Sequence, residues 1–251
     1  MLLIILKTWA LRISRSVSVT KAVFLDWFHT LARFEPPREE LHCQVLQEFG
    51  IKVSPQKVKP GLLLADEYWF DENIKSKVRA RSSEEQAEIG LRYQHILLTE
   101  AGIKVNKELL LKIVKKVQEL YKGMTFVLFE DVLPTLKELK KQQLVLGLLT
   151  NLNKDMVPIC RQLGLEPYLD FVVTSEEAGS DKPQPPIFLA ALERAGVAAS
   201  EAFHVGDQYK IDVVGARGVG IKPILIDRDN LYPDITDCPR IRLLPEVVKY
   251  L

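Results

Sequence analysis

Cysteine is scarce in this chain. Only Cys43, Cys160 and Cys238 occur among 251 residues, far apart and with no Cys-x-x-Cys pair or nearby histidine. An odd, scattered set argues against a disulfide framework and a thiolate metal site, and suits a reducing compartment. The three are read as packing residues. No sign of charge prevails either: 34 Lys and Arg face 33 Asp and Glu, for a net charge of +1. Without a dominant field, neither nucleic acid nor a membrane surface is expected as a partner. Also missing is an apolar run long enough to span a bilayer. Met1 to Leu6 is apolar, but Lys7, Arg12 and Arg15 follow it, the reverse of a secretory signal. Leu2, Leu3, Leu6, Trp9, Ala10 and Ile13 can share one helix face, so residues 1–20 read as an N-terminal extension. A cytoplasmic protein is expected. Internal repeats and low-complexity tracts are absent.

What is present is ordinary in amount, 47% apolar and 27% charged, and informative in order. The length suits one large domain, or one domain with a sizeable insertion. Ala22-Val23-Phe24-Leu25 reads as a buried strand that stops abruptly at Asp26. A helical block follows. Pro36-Pro37 leads into Glu39 to Phe49, and Ser54-Pro55 opens a segment carrying Leu62 to Phe70. Ser83-Glu84-Glu85-Gln86 has the form of a capping box, and Asn106 to Tyr121 repeats apolar residues at the helical period. No convincing strand lies between 35 and 122. From Asp131 the rhythm becomes helix–strand. Apolar strands are expected at Leu144 to Leu149, Phe171 to Thr174, Ala202 to Val205 and Pro223 to Ile226, with helices between. Such alternation predicts an α/β fold with a Rossmann-like, mainly parallel sheet and right-handed crossovers.

Polar clusters follow these strands: Asp26, Thr150-Asn151, Lys182, and Asp207 with Asp212. Each alone has a plain reading as a turn, a helix cap or a solvated lysine. Together, at one edge of a parallel sheet, they would supply a carboxylate nucleophile, groups to hold an anion, a cation, and further carboxylates for a metal.

The order and setting of these residues resemble the haloacid dehalogenase-like (HAD) superfamily of hydrolases, over about residues 20 to 230. Asp26 to Leu31 looks like the first motif, Leu148-Leu149-Thr150-Asn151 the second, and Asp181-Lys182-Pro183 to Phe188 the third. Gly206-Asp207 with Asp212 five residues on is similar to the fourth. The resemblance implies an all-helical cap at 35–122 inserted into a core of 21–34 and 123–251. It implies a phosphatase whose Asp26 attacks phosphorus to form an aspartyl-phosphate. Mg²⁺ would be held by Asp26, Asp207 and the Phe28 carbonyl, with Asp212 as ligand or through water. Thr150, with Asn151 and neighbouring N–H groups, would hold the phosphoryl oxygens, and Lys182 would offset charge. The implied partner is a small phosphorylated molecule, and the implied state a monomer or homodimer.

The departure lies at Phe28. Family phosphatases usually carry there a second Asp that exchanges a proton with the leaving group, and such a group contributes roughly 10²–10⁴-fold. Three readings follow. One is a phosphatase restricted to good leaving groups such as acyl or aryl phosphates, with His29 either a surrogate proton donor or a turn residue pointing away. The second is a 2-haloacid dehalogenase, or a phosphonate hydrolase using a cap lysine (Lys52, Lys57 or Lys59). The third is a non-catalytic binding module. Asp207 and Asp212 speak for the first. Trp69, Phe70, Tyr68 and Arg92 are candidates to line the lid, with packing the plainer reading for the aromatics, while His42 and His95 are placed in cap helices and His204 is read as hydrogen-bonded in the core.

Overall fold

The computed structural model describes residues 19–152 and 155–251. The extension expected at 1–20 lies outside these residues except for its last two positions, as does the start of the helix expected from Lys154. No helix among the described residues is long and apolar enough to cross a membrane.

Strand β1 (Ala22–Leu25) is buried along its whole length, which requires that both of its faces be covered. The hairpin strands β2 (Ala32–Glu35) and β3 (Thr125–Leu128) pair antiparallel as a separate two-stranded sheet. The remaining strands are β4 (Val145–Thr150), β5 (Phe171–Thr174), β6 (Ala202–Gly206), β7 (Lys222–Ile226) and β8 (Arg240–Ile241). With β1 they form a parallel sheet in the order β5-β4-β1-β6-β7-β8. This is the expected α/β, Rossmann-like arrangement. The strands alternate their side chains between two cores. Val23 and Leu25 join Val132 and Leu136 of α5 (Val132–Lys141) and Met156 of α6 (Met156–Gln162). Ala22 and Phe24 join Ile187, Phe188 and Ala191 of α8 (Pro185–Ala195) and Ala216 of α9 (Val214–Gly218). A single-turn helix, α7 (Ser175–Ala178), caps the end of β5.

After β1 the chain next enters the sheet at β4, on one side, and later returns to β6 on the other. The connections therefore part at the carboxyl ends of β1, β4 and β6, where open α/β sheets bind ligands.

Between β2 and β3 lie α1 (Arg38–Glu48), α2 (Pro55–Lys75), α3 (Ser83–Glu100) and α4 (Lys107–Tyr121). They enclose a third apolar cluster that includes Leu46, Leu62, Leu97 and Ile113. Gly61 lets α2 lie against α3, since a Cβ there would collide with the Leu97 carbonyl oxygen.

Local differences from the sequence reading have local causes. The capping box of α3 sits one residue earlier: Ser82 Oγ accepts from Glu85 N–H, and the Glu85 carboxylate accepts from Ser82 N–H. Ser54 precedes α2, with Pro55 at the first helical position, but makes no side-chain cap bond; its carbonyl accepts from Lys57 N–H at 3.0 Å. The helix expected at Asp212 to Arg217 starts as a π-turn over Tyr209–Val213 before α9. The strands β2, β3 and β8 were not anticipated. Each has two to four residues, and β2 and β3 find each other only across the whole helical block.

Candidate active site

Asp26, Lys182, Asp207 and Asp212 meet where the topology places them. Asp26 follows β1, and its N–H donates to the Val205 carbonyl at 2.9 Å. Lys182, in the loop before α8, is 2% exposed and donates through Nζ to Asp26 Oδ1 at 2.5 Å and to Asp212 Oδ1 at 2.7 Å. Asp212 also accepts from Gln208 N–H at 3.1 Å and lies 2.9 Å from His204 Nε2. Carboxylate oxygens of Asp26, Asp207 and Asp212 all fall within 4.8 Å of one another. Gly206 makes this approach possible, because a Cβ at that position would overlap the Asp212 side chain.

Thr150 is buried at the end of β4, and its Oγ accepts from Leu152 N–H at 3.1 Å. Asn151 faces the same cavity, but its side chain is engaged by backbone. Nδ2 donates to the Lys182 carbonyl at 3.0 Å, and Oδ1 accepts from Lys182 N–H at 2.7 Å. That reciprocal pair holds the lysine's backbone beside Asp26 and explains why an amide stands there. Phe28 is half-buried after Asp26. Its ring packs against Phe34 at 4.8 Å, and the Arg38 guanidinium lies 5.2 Å from its centroid.

The electrostatics follow from three carboxylates sharing one ammonium. Burial pushes Asp26 up to about 6; Lys182 pulls it down and Asp212 adds to the rise. Burial would also raise Asp212, but Lys182 and His204 outweigh it and hold that carboxyl well below the usual range. Asp207 is half-buried, yet desolvation and then the charges of Asp26 and Asp212 lift it well above the ordinary value. Desolvation opposes the charge on Lys182, and its two carboxylate partners more than offset this.

These residues fit a hard divalent cation. The donor set is oxygen only, the cluster carries excess negative charge, and Asp207 Oδ1 is buried with no hydrogen-bond partner.

The remaining expectations divide. Trp69 and Phe70 line the cavity above Asp26, whereas Tyr68 and Arg92 are not among its lining residues. His29 does not line it either. It occupies a left-handed turn (φ 61°) with Nε2 3.4 Å from Arg38, and burial followed by the Arg38 charge lowers it to about 4. An imidazole that is neutral at pH 7 cannot act there as an acid, so its place is the turn. None of Lys52, Lys57 and Lys59 lines the cavity, and Lys59 is paired with Asp229 at 2.6 Å. His204, read as hydrogen-bonded in the core, is so, and the partner it finds there is Asp212. Its position three residues before Asp207 on an inward-facing strand was the available signal. Phe34 and Phe126 of the hairpin, and Asn73, Asp181 and Gln208, also line the cavity and were not singled out.

Comparison with known proteins gives this arrangement its class. Residues 65–226 match the family described as haloacid dehalogenase-like hydrolase. The chain belongs to that family and is a hydrolase. It is 30% identical over 224 residues to haloacid dehalogenase-like hydrolase domain-containing protein 3 of Danio rerio, covering 88% of this chain and 91% of that one. It is 40% identical over 101 residues to ribulose-1,5-bisphosphate 5-phosphatase of Halopiger xanaduensis, covering 40% and 42% of the two chains. Among solved structures, a HAD phosphatase from Thermococcus onnurineus superposes with a TM-score of 0.54 at 25% identity, over 92% of this chain and 97% of that one.

Proposed function

We propose that this hydrolase is a Mg²⁺-dependent phosphatase that forms an aspartyl-phosphate on Asp26, acting on a small phosphorylated metabolite in the cytoplasm. The observation that carries the reading is the convergence of Asp26, Asp207 and Asp212 around Lys182, with one Asp207 oxygen left unpartnered. Phosphatases among the relatives support it. Carbon–halogen hydrolysis needs no metal ion, so three carboxylates gathered about one point favour the phosphatase.

In this reading Asp26, Asp207, Asp212 and the Phe28 carbonyl hold Mg²⁺, which supplies positive charge toward the phosphoryl oxygens. Asp26 attacks phosphorus in line, forming an O–P bond as the ester P–O bond breaks, and the departing oxygen keeps the electron pair. Thr150 and Lys182 hold the phosphoryl oxygens, so the dianion can approach a carboxylate. Water then attacks the mixed anhydride, releasing phosphate and restoring Asp26. The division that fits these roles is a core of 21–34 and 123–251 with a cap over 35–122 that closes over the pocket and excludes water.

The test is a panel of acetyl phosphate, p-nitrophenyl phosphate and 2-haloacids, with Mg²⁺ and with EDTA. Phosphate release that EDTA abolishes and Mg²⁺ restores is expected. Haloacid turnover that survives EDTA would overturn the reading.

Mg²⁺ affinity should rise with pH. Asp26, near 6, and Asp207, also raised well above the ordinary carboxylate range, must lose protons before they can bind a cation. A raised carboxyl also means that the folded state binds its proton more tightly than the unfolded chain. The metal-free protein therefore loses stability as pH rises from about 4 through 6, and Mg²⁺ offsets this at pH 7. Calorimetry at pH 5 and 7 should show weaker binding with more proton release at pH 5. Equal affinities at both would contradict the assignment.

Phe28→Asp supplies the missing carboxyl. Glycerol phosphate, whose alkoxide needs a proton to leave, should then turn over roughly 10²-fold faster, the low end of general-acid contributions. No gain would show that the position does not serve the leaving group.

A further inference from the structure

Above its carboxylates the cavity, about 230 Å³, changes character. One side is the hairpin, where the rings of Phe34 and Phe126 stack at 4.8 Å and 20°, with Phe28 beside Phe34. The other side is α2, which presents Trp69 and Phe70. Trp69 touches Tyr93 edge-on at 6.4 Å and remains 36% exposed, so part of its ring is uncovered beside the cavity.

Charge supplies an independent observation. Lys182 is the cation lining the cavity among the described residues, and both Asp26 and Asp212 occupy it. The outer carboxylate, Asp181, is paired with Lys77 at 3.2 Å. Arg38, behind Phe28, has both terminal nitrogens on Asp66, at 2.9 and 2.5 Å. Among the described residues no cation lining the cavity is left for a second phosphate or a carboxylate on the substrate, and burying such an anion unpaired is costly. The walls favour a flat ring, because aromatic faces attract other rings in stacked and edge-on geometries.

We propose that the substrate is the phosphate monoester of an uncharged, ring-bearing hydroxyl compound, an aryl phosphate in its simplest form, with the ring held by Trp69 and Phe34. This rests on the phosphatase reading and narrows it away from bisphosphates and phosphorylated acids. The chemistry agrees with Phe28. The Asp26 oxygen bonds to phosphorus, the P–O(aryl) bond breaks, and the electron pair leaves on a phenolate that takes its proton from solvent. A phenolate is stable enough to depart without a general acid.

Binding of unreactive analogues to the full chain with Mg²⁺ tests this separately from turnover. Calorimetry should show phenylphosphonate binding roughly 10- to 100-fold more tightly than methylphosphonate, the range expected from two aromatic contacts. Trp69→Ala and Phe34→Leu should each reduce that ratio roughly 3- to 10-fold. Equal binding of the two phosphonates would overturn the proposal, as would tighter binding of phosphonoacetate or a ratio unmoved in both variants. Should one variant fail to fold, the wild-type ratio and the other variant still decide. Failure of the phosphatase reading shows elsewhere, as absent release of phosphate from acetyl phosphate with Mg²⁺.

Discussion

Asp26→Asn should abolish turnover, lowering kcat by roughly 10⁴- to 10⁶-fold, the scale on which removing a covalent nucleophile acts. The substitution is nearly isosteric. It keeps the backbone N–H on Val205 and an oxygen within reach of Lys182, so the fold has no reason to change. It also removes one of the three crowded carboxylates, and the mutual repulsion that lifts Asp26 and Asp207 falls with it. The variant should therefore unfold at a temperature close to that of the wild type while releasing no phosphate in single-turnover assays. Incubation of the wild type with acetyl phosphate, followed by acid quench and mass spectrometry, should show a phosphoryl adduct that Asp26→Asn lacks. Residual turnover above about one part in a thousand would remove Asp26 as the nucleophile.

The largest effect on stability belongs to Lys182→Met. The ammonium is 1% exposed in its side chain and sits between Asp26 and Asp212 at hydrogen-bond distance from both. Deleting one member of a buried ion pair leaves its partners charged and uncompensated, which costs about 3–5 kcal/mol. Here three carboxylates are left facing one another. The loss should be largest near neutral pH. Asp212 is held low in the folded protein, so its ionised form contributes stability above the unfolded value near 3.8, and Lys182 is a main source of that contribution. Without the lysine the folded carboxyls take up protons as pH falls, which relieves the repulsion. The gap between wild type and variant in urea unfolding should narrow from pH 7 to pH 4. Millimolar Mg²⁺ should recover part of it, while activity stays lost because no ammonium then offsets the charge between Asp26 and the phosphoryl group. A variant as stable as the wild type at pH 7 would show that the cluster is not charged as described.

The strands that carry the chemistry were legible because their cause is local. Ala22 to Leu25, Leu144 to Leu149 and Ala202 to Val205 are apolar runs ending in polar residues, and each forms a strand within a residue or two of its expected bounds. Four helices between 35 and 122 were equally legible from their apolar period. The hairpin was not. Ala32-Arg33-Phe34-Glu35 is too short to stand out, and it becomes a strand because Thr125 to Leu128 lies alongside it. That pairing brings Phe34 and Phe126 to the mouth of the site, so the aromatic wall was invisible for the same reason. Residue roles divide in the same way. Asp26, Lys182, Asp207 and Asp212 stand out by chemical type at strand ends, whereas Asn151 turns its amide to the Lys182 backbone and His204 reaches Asp212.

By itself the sequence determined the α/β class, the order of its elements and the four strand-end clusters, including the phenylalanine where a proton carrier is usual. These follow from periodicity and residue type, which act over one element at a time. Only the tertiary structure decided that one lysine serves two carboxylates, that an Asp207 oxygen is left without a partner, and that the walls above them are aromatic and, among the described residues, short of free cations. Those properties depend on distances between residues far apart in the chain, and the sheet sets such distances by placing β1, β4 and β6 side by side.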